Sequence, residues 1–136
     1  GVPPYLISST LVGVMAQRLV RTLCRHCKQA DGAMSDDDWR ALISPLTMAK
    51  PERIYRPVGC LECRMTGYRG RVGIYEILKV SEKIKRLVEG TPDLSALRRY
   101  GIAGGMRPLR LAGARRIATG DTTGEEVIRS APPIET

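Results

Sequence analysis

Apolar residues return at every fourth position near the start of the chain. Leu11, Met15, Leu19 and Leu23 form the series, with Val12, Ala16 and Val20 beside it. Such spacing marks one face of an amphipathic helix, and it predicts a single helix over residues 5–23. Thr10, Gly13, Gln17 and Arg21, with Arg18 alongside, fall on the other face. Pro3 and Pro4 mark its start, and the turn at 24–27 ends it. Residues 28–34 read as loop. Ser35 then caps a short helix through Ile43, with Asp36, Asp37 and Asp38 in the first turn, where the helix dipole favours negative charge. Trp39, Leu42 and Ile43 make its buried stripe. Residues 44–53 contain Pro45 and Pro51 and read as irregular, and 54–58 reads as a short strand.

The pattern changes period after residue 71. Val72, Ile74, Glu76 and Leu78 alternate with Gly73, Tyr75 and Ile77, which predicts a strand with one apolar and one mixed face. Ser81 caps a helix carrying Ile84, Leu87 and Val88, closed by Gly90. Thr91 and Pro92 begin another, with Leu94 and Leu97 inward and Gly101 as its stop. Gly104 and Gly105 read as a hinge. Pro108 opens a helix to Thr119 with Gly120 as its cap, and Thr123 with Glu126 forms a capping box for a last turn or two. Pro132 and Pro133 end regular structure. The expected class is α+β and mostly helical: a small four-cysteine zinc module with a short β element, followed by a helical C-terminal subdomain.

Composition adds three constraints. The 136 residues fit one domain or two small ones. At 43% hydrophobic and 26% charged the chain is not wholly disordered. Lys and Arg total 22 against 14 Asp and Glu, a formal +8, which points to nucleic acid, acidic lipid or an acidic protein partner. The chain begins at Gly1 and reads as a piece of a longer protein. It has no run of 18 apolar residues and no signal-peptide layout, so the cytoplasm is the expected compartment.

The four cysteines carry the strongest signal. Cys24 and Cys27 form one C-x2-C pair, Cys60 and Cys63 another, across a 32-residue spacer. Two such pairs can close a tetrahedron of thiolates around a structural zinc. Gly59 and Gly67 give the second turn its backbone freedom. Two disulfides and a redox dithiol are the competing readings. His26, the only histidine, lies between two ligands, and a four-cysteine site leaves it no vacancy. Arg25, Lys28 and Arg64 would offset the thiolate charge, and four zinc-bound thiolates would lower the +8 by two units.

Catalytic chemistry is scarce. The P-loop, G-x4-G-K-[ST], is absent, since none of the five lysines follows a glycine. Ser8 and Ser9 have no base near them in sequence. Asp36, Asp37 and Asp38 read as a solvated helix start rather than an acid–base pair. Six arginines, Arg98, Arg99, Arg107, Arg110, Arg115 and Arg116, crowd the C-terminal third with Tyr100 as their one interleaved aromatic. Single-strand binders interleave basic and stacking residues, so direct nucleic-acid binding is disfavoured. A free-standing zinc module that binds nucleic acid remains the alternative function.

Several segments together resemble a known family. Leu11 to Arg21, reading LVGVMAQRLVR, leads into the first cysteine pair. Gly59 and the second pair run into Thr66-Gly67-Tyr68-Arg69-Gly70-Arg71-x-Gly73-Ile74-Tyr75-Glu76. Gly105-Met106-Arg107-Pro108-Leu109 and Thr122-Thr123-Gly124-Glu125-Glu126-Val127 follow. The whole resembles the C-terminal part of the ATPases of type II secretion and type IV pilus assembly. The resemblance implies a parent that is a hexamer with a RecA-like motor, whose P-loop, acidic boxes and histidine box lie upstream. It implies three parts: the motor's C-terminal helix at 1–23, a tetracysteine zinc module with an inserted helix at 24–72, and a strand plus helical subdomain at 73–136. Gln17 and Arg18 would lie towards the motor's nucleotide or a subunit boundary. ATP and Mg would belong to the parent, leaving this piece non-catalytic, with zinc as its own cofactor on Cys24, Cys27, Cys60 and Cys63. Partners would be the upstream motor domain and the inner-membrane platform and recruitment proteins. Location would be cytoplasmic, peripheral to the inner membrane through those partners, with no transmembrane segment.

Overall fold

A computed structural model describes residues 1–91 and 93–134. Helix α1 spans Pro4–Thr10 and strand β1 spans Gly13–Leu23. A short β2, Gln29–Gly32, precedes α2, Asp36–Ile43. Strand β3, Ile54–Arg56, leads to a single 3-10 turn, Leu61–Cys63. The long β4, Tyr68–Lys79, is followed by α3, Glu82–Glu89, α4, Leu94–Ala103, α5, Leu109–Ala118, and α6, Gly124–Ser130. The fold is α+β with two two-stranded antiparallel sheets, β1 with β4 and β2 with β3.

The expected helix over 5–23 is a correction. Only its first two turns are helical, and residues 13–23 form a strand. A spacing of four is close to the helical period but is also a multiple of two. Leu11, Met15, Leu19 and Leu23 therefore share one face of a strand as readily as one face of a helix. What decides is a partner far along the chain: Gly13 to Arg21 pair residue by residue with Lys79 to Arg71. Val12, Val14, Val20 and Thr22, stiff at χ1, suit the pleated backbone. Residues 29–32, expected as loop, form β2 because Gln29 and Gly32 pair with Arg56 and Ile54.

Other elements follow their signals. Ser35, Ser81 and Thr123 each accept a backbone N–H at their helix starts. α4 differs from expectation at both ends. Asp93 caps it by accepting from the N–H groups of Ser95 and Ala96, and the expected start at Pro92 lies outside the described residues. Gly101 does not stop the helix. It is buried inside it, where a Cβ would meet Leu78 Cδ1 at 2.8 Å, and Gly104 is the cap instead. Leu94, expected inward, is 68% exposed.

Two clusters make the core. Trp39, Leu42 and Ile43 of α2 pack with Ile54, Ala114, Ile117 and Val127, and the Trp39 indole donates to Met48 O at 2.9 Å. Val20 and Ile74, from the inner face of the ribbon, pack with Leu109 and Ala131. α1 is tied to α3 by a hydrogen bond from Ser8 to the Glu89 carboxylate.

One polar hub joins the helices to the ribbon. Glu126 is 1% exposed, yet its carboxylate accepts from the Arg21 backbone N–H at 3.1 Å, Arg21 Nη2 at 2.6 Å and Arg129 Nη2 at 2.6 Å. Thr122 Oγ1 donates to Arg21 O at 2.8 Å, and Leu23 N–H to Asp121 O at 2.8 Å. Arg21 also lies 4.1 Å over the ring of Tyr68, whose hydroxyl bonds Thr123 Oγ1 at 3.1 Å. Burial pushes the Glu126 carboxyl up, but its bonds to Arg21 and the charge of Arg129 outweigh this and hold it below its ordinary 4.5. The folded state therefore binds this proton less readily than the unfolded chain. The resulting stability is full above pH 4.5 and is lost as pH falls through the lower folded value.

Glu126→Gln should cost about 2 kcal/mol at pH 7, because a charge-assisted bond is exchanged for a neutral one. The variant should also lose less of its remaining stability than the parent chain when melting is followed from pH 6 down to pH 3. Parallel acid limbs for the two proteins would contradict this role. Gly113 faces α6 so closely that a Cβ would meet Val127 Cγ1 at 2.4 Å. Gly113→Ala should cost roughly 1–3 kcal/mol by overpacking, read as a lowered urea midpoint.

Candidate metal centre

The two cysteine pairs sit where β1 ends and just before β4 begins. The chain leaves Leu23 and turns at once, with Cys27 N–H and Lys28 N–H both donating to Cys24 O at 3.3 and 3.0 Å. The second turn is tighter. Cys63 N–H and Met65 N–H both donate to Cys60 O, at 3.2 and 2.8 Å. Arg64 and Met65 stand in the left-handed region at φ 52° and 63°, between Gly59 at 116° and Gly67 at 77°. At Gly67 a Cβ would lie 2.4 Å from Pro57 Cβ, so both conformation and space demand glycine. The two turns are joined directly by Cys24 N–H donating to Gly67 O at 2.9 Å.

This brings together four sulfurs that the sequence separates by up to 39 positions, all within 4.8 Å of one another. Cys24 to Cys60, Cys27 to Cys63 and Cys60 to Cys63 are each 3.8 Å apart. A disulfide needs about 2.05 Å, and the four cysteines are free. A regular tetrahedron with a ligand distance near 2.3 Å has an edge of about 3.8 Å. The sulfur spacing therefore fits a tetrahedral thiophilic ion, and the soft four-thiolate donor set suits zinc.

The backbone is prepared for negative sulfur. Gly59 N–H points at Cys27 Sγ (3.3 Å), and the N–H groups of Cys60 and Gly67 point at Cys63 Sγ, both at 3.2 Å. Burial pushes the Cys63 thiol up, but those two N–H groups and the Cys60 and Cys27 thiols outweigh it and bring it to about 6. Cys60 goes the other way, to about 11. The Cys63 backbone N–H lowers it, while burial and contact with the Cys63, Cys24 and Cys27 sulfurs raise it further. One sulfur can take the negative charge alone; four can do so only beside a cation.

His26 is exposed, in line with a four-cysteine site that has no place for it. Lys28 does not hover over the sulfurs. Its ammonium donates to Gly120 O at 2.6 Å and lies 4.6 Å from the Tyr55 ring, tying the first cysteine turn to the end of α5. Gln17 and Arg18 are on exposed β1, six or more residues before Cys24, so roughly 20 Å up the strand from the cluster. Gln17 Nε2 donates to Tyr75 Oη at 3.4 Å, and Arg18 Nη1 to Gln17 O at 2.8 Å. The Arg21–Glu126 pair was not singled out from the sequence. The nearest signal was the Thr123 and Glu126 capping box: Thr123 caps as expected, while the Glu126 carboxylate turns to Arg21 and Arg129.

Comparison with known proteins matches residues 1–129 to a family model described as type II/IV secretion system protein. The chain is 48% identical over 97% of its length to the type IV pilus assembly ATPase TfpB of Acinetobacter baylyi, covering 22% of that protein. It is 38% identical over 95% of its length to type II secretion system protein E of Klebsiella pneumoniae, covering 25%. To the type IV pilus assembly ATPase PilB of Myxococcus xanthus it is 37% identical over 98%, covering 24%. The chain thus spans about a quarter of the length of these relatives.

Gly67→Ala should open the second cysteine turn by forcing Pro57 aside. The expected cost is about 2 kcal/mol or more, from strain at positive φ plus the clash. Hydrogen exchange should show Cys24 N–H, bonded to Gly67 O, losing protection while amides of α5 do not. Unchanged protection at Cys24 would contradict it.

Proposed function

We propose that this chain, which belongs to the type II/IV secretion system protein family, forms the C-terminal, metal-braced part of a motor ATPase powering type II secretion or type IV pilus assembly. Two observations support the reading. The family match covers almost the whole chain, and the sulfur spacing is that of a tetrahedral metal site. The second carries the physical role. Residues 1–23 belong to the motor side, with β1 where a helix was expected. Residues 24–72 are the metal module, and 73–136 the strand and helical subdomain.

In this reading the piece does not hydrolyse nucleotide. ATP and Mg act in the parent, whose phosphate-binding loop has no counterpart here. Zinc, when bound, supplies a rigid four-way cross-link. Cys24, Cys27, Cys60 and Cys63 hold it, and their N–H donors and the Lys28 tether orient them. Gln17 and Arg18 are both exposed on β1, on its two opposite faces, and we assign this stretch of the strand to the upstream motor near its nucleotide or a subunit boundary. The module also offers a contact surface to the platform and recruitment proteins of the machine. The protein would work at the cytoplasmic side of the inner membrane through those partners; among the described residues no helix is long and apolar enough to cross a membrane.

Cys60→Ser tests this. Metal content should fall from one zinc per chain to none, since a hydroxyl is a poor ligand beside three thiolates. Melting should drop by many degrees, because structural zinc contributes on the order of 10 kcal/mol to small modules. In the full-length parent, secretion or piliation should be impaired. Equal metal content with unchanged melting would sink the reading.

A further inference from the structure

The β1–β4 ladder sets two arginines directly opposite each other, Arg21 against Arg71. Like charges in that position weaken a sheet. Arg21 is relieved by Glu126 and by the Tyr68 ring. Arg71 has no ion pair among the described residues. Immediately beyond this pair the register slips: Arg21 faces Arg71, but Leu23 faces Tyr68. Thr22 alone on β1 therefore stands against Arg69 and Gly70 on β4, a β-bulge, the kind of irregularity that re-aims side chains. Gly70 has φ 83°, and a Cβ there would meet nothing within 4 Å. Glycine serves the backbone conformation at this point and leaves the main chain open to approach.

The bulge lies in a recess of about 380 Å³ lined by Thr22, Arg25, His26, Arg69, Gly70 and Arg71. No carboxylate lines it. Arg69 reaches out to Glu62 at 2.9 Å, both side chains being more than half exposed. Arg25 and Arg71 have no acidic partner among the described residues. Three guanidiniums and an imidazole thus line one recess from two segments, the first cysteine turn and the start of β4. Only Arg69 is balanced, by Glu62; among the described residues Arg25 and Arg71 are not. Surface arginines usually stand near acids or apart. Here the fold spends a bulge and a cross-strand repulsion to gather them.

We propose that this recess binds a phosphate group. The arginine fork matches two oxygens of such an anion, and two forks suit its double charge better than they suit a single carboxylate. Arg25 and Arg71 supply the forks, with the Thr22 hydroxyl and a His26 ring N–H as neutral donors. The glycine at 70 lets the anion come close to the backbone. A free phosphate compound and a phospholipid headgroup share this chemistry. The site lies apart from the sulfur cluster and stands whatever metal the cysteines take.

The test uses the reduced chain as purified, titrated with pyrophosphate at low salt by calorimetry, and sedimented with phosphatidylglycerol or phosphatidylcholine vesicles. Saturable one-site binding of pyrophosphate is expected, at least about tenfold weaker in Arg71→Ala and in Arg25→Ala, since each removes a charge-assisted bond. Arg40→Ala, whose partner is Asp37 on α2, should bind as the parent does. Binding only to phosphatidylglycerol vesicles, weakened by the same two substitutions, would assign the phosphate to a lipid headgroup. In the unaltered chain, pyrophosphate should shift the amide resonances of Thr22 and Gly70, which keeps the test valid if a variant is poorly folded. No saturable binding of either probe would overturn the proposal. So would binding that leaves those amides unmoved, or that survives both substitutions.

Discussion

Four sulfurs at tetrahedral spacing join the two ends of the long excursion between β1 and β4. β1 and β4 pair along nearly their whole length. Between them the chain makes an excursion of more than forty residues that contributes only a small sheet and one helix. Such a long loop is entropically costly to close, and its buried residues, Trp39, Leu42, Ile43 and Ile54, form a core only together with α5 and α6. The sulfur cluster sits at the foot of this excursion, beside the last ladder pair, Leu23 with Tyr68. It adds an anchor at the base of the excursion to the packing of α2 and β3 on α5. The direct bond from Cys24 N–H to Gly67 O continues the ladder into the cluster, so strand pairing and the sulfur cluster support each other.

The C-terminal helices reach the same place by a different chemistry. Glu126, buried on α6, is clamped to the Arg21 backbone and side chain three residues before Cys24. Lys28, one residue past Cys27, donates to Gly120 at the end of α5. The metal module is thus held to the helical subdomain on both sides of its first turn. A buried carboxylate is tolerated only because both oxygens are hydrogen-bonded and two guanidiniums balance its charge. This hub also changes the meaning of the basic excess. Arg21 and Arg129 are structural counter-ions, whereas Arg25 and Arg71 have no acidic partner among the described residues.

How much of this the sequence displays depends on how local the deciding interaction is. α2, α3 and α6 were legible because Ser35, Ser81 and Thr123 announce their starts and act within one turn. β4 was legible from strict alternation around Ile74. β1 was not, because a four-residue repeat fits both periods and the arbiter, residues 71–79, lies some sixty positions away. Gly101 looked like a helix stop because its real constraint, the approach of Leu78 and Met106, is tertiary. The cysteine cluster was legible because C-x2-C spacing encodes its own geometry. The Arg21–Glu126 pair spans 105 positions and leaves no local trace.

Relatives named as secretion and pilus ATPases extend well beyond the length of this chain, and the outer face of the ribbon exposes Met15, Leu19, Tyr75 and Ile77. In the proposed role the cysteine cluster acts as a rigid brace. Its central claim is that one thiophilic ion locks the two cysteine turns. Native mass spectrometry of the reduced, folded chain tests that most directly. A single species heavier than the polypeptide by one zinc less two protons, compared at equal charge, is expected. A folded chain at the bare polypeptide mass, or lighter by the four hydrogens of two disulfides, would contradict it.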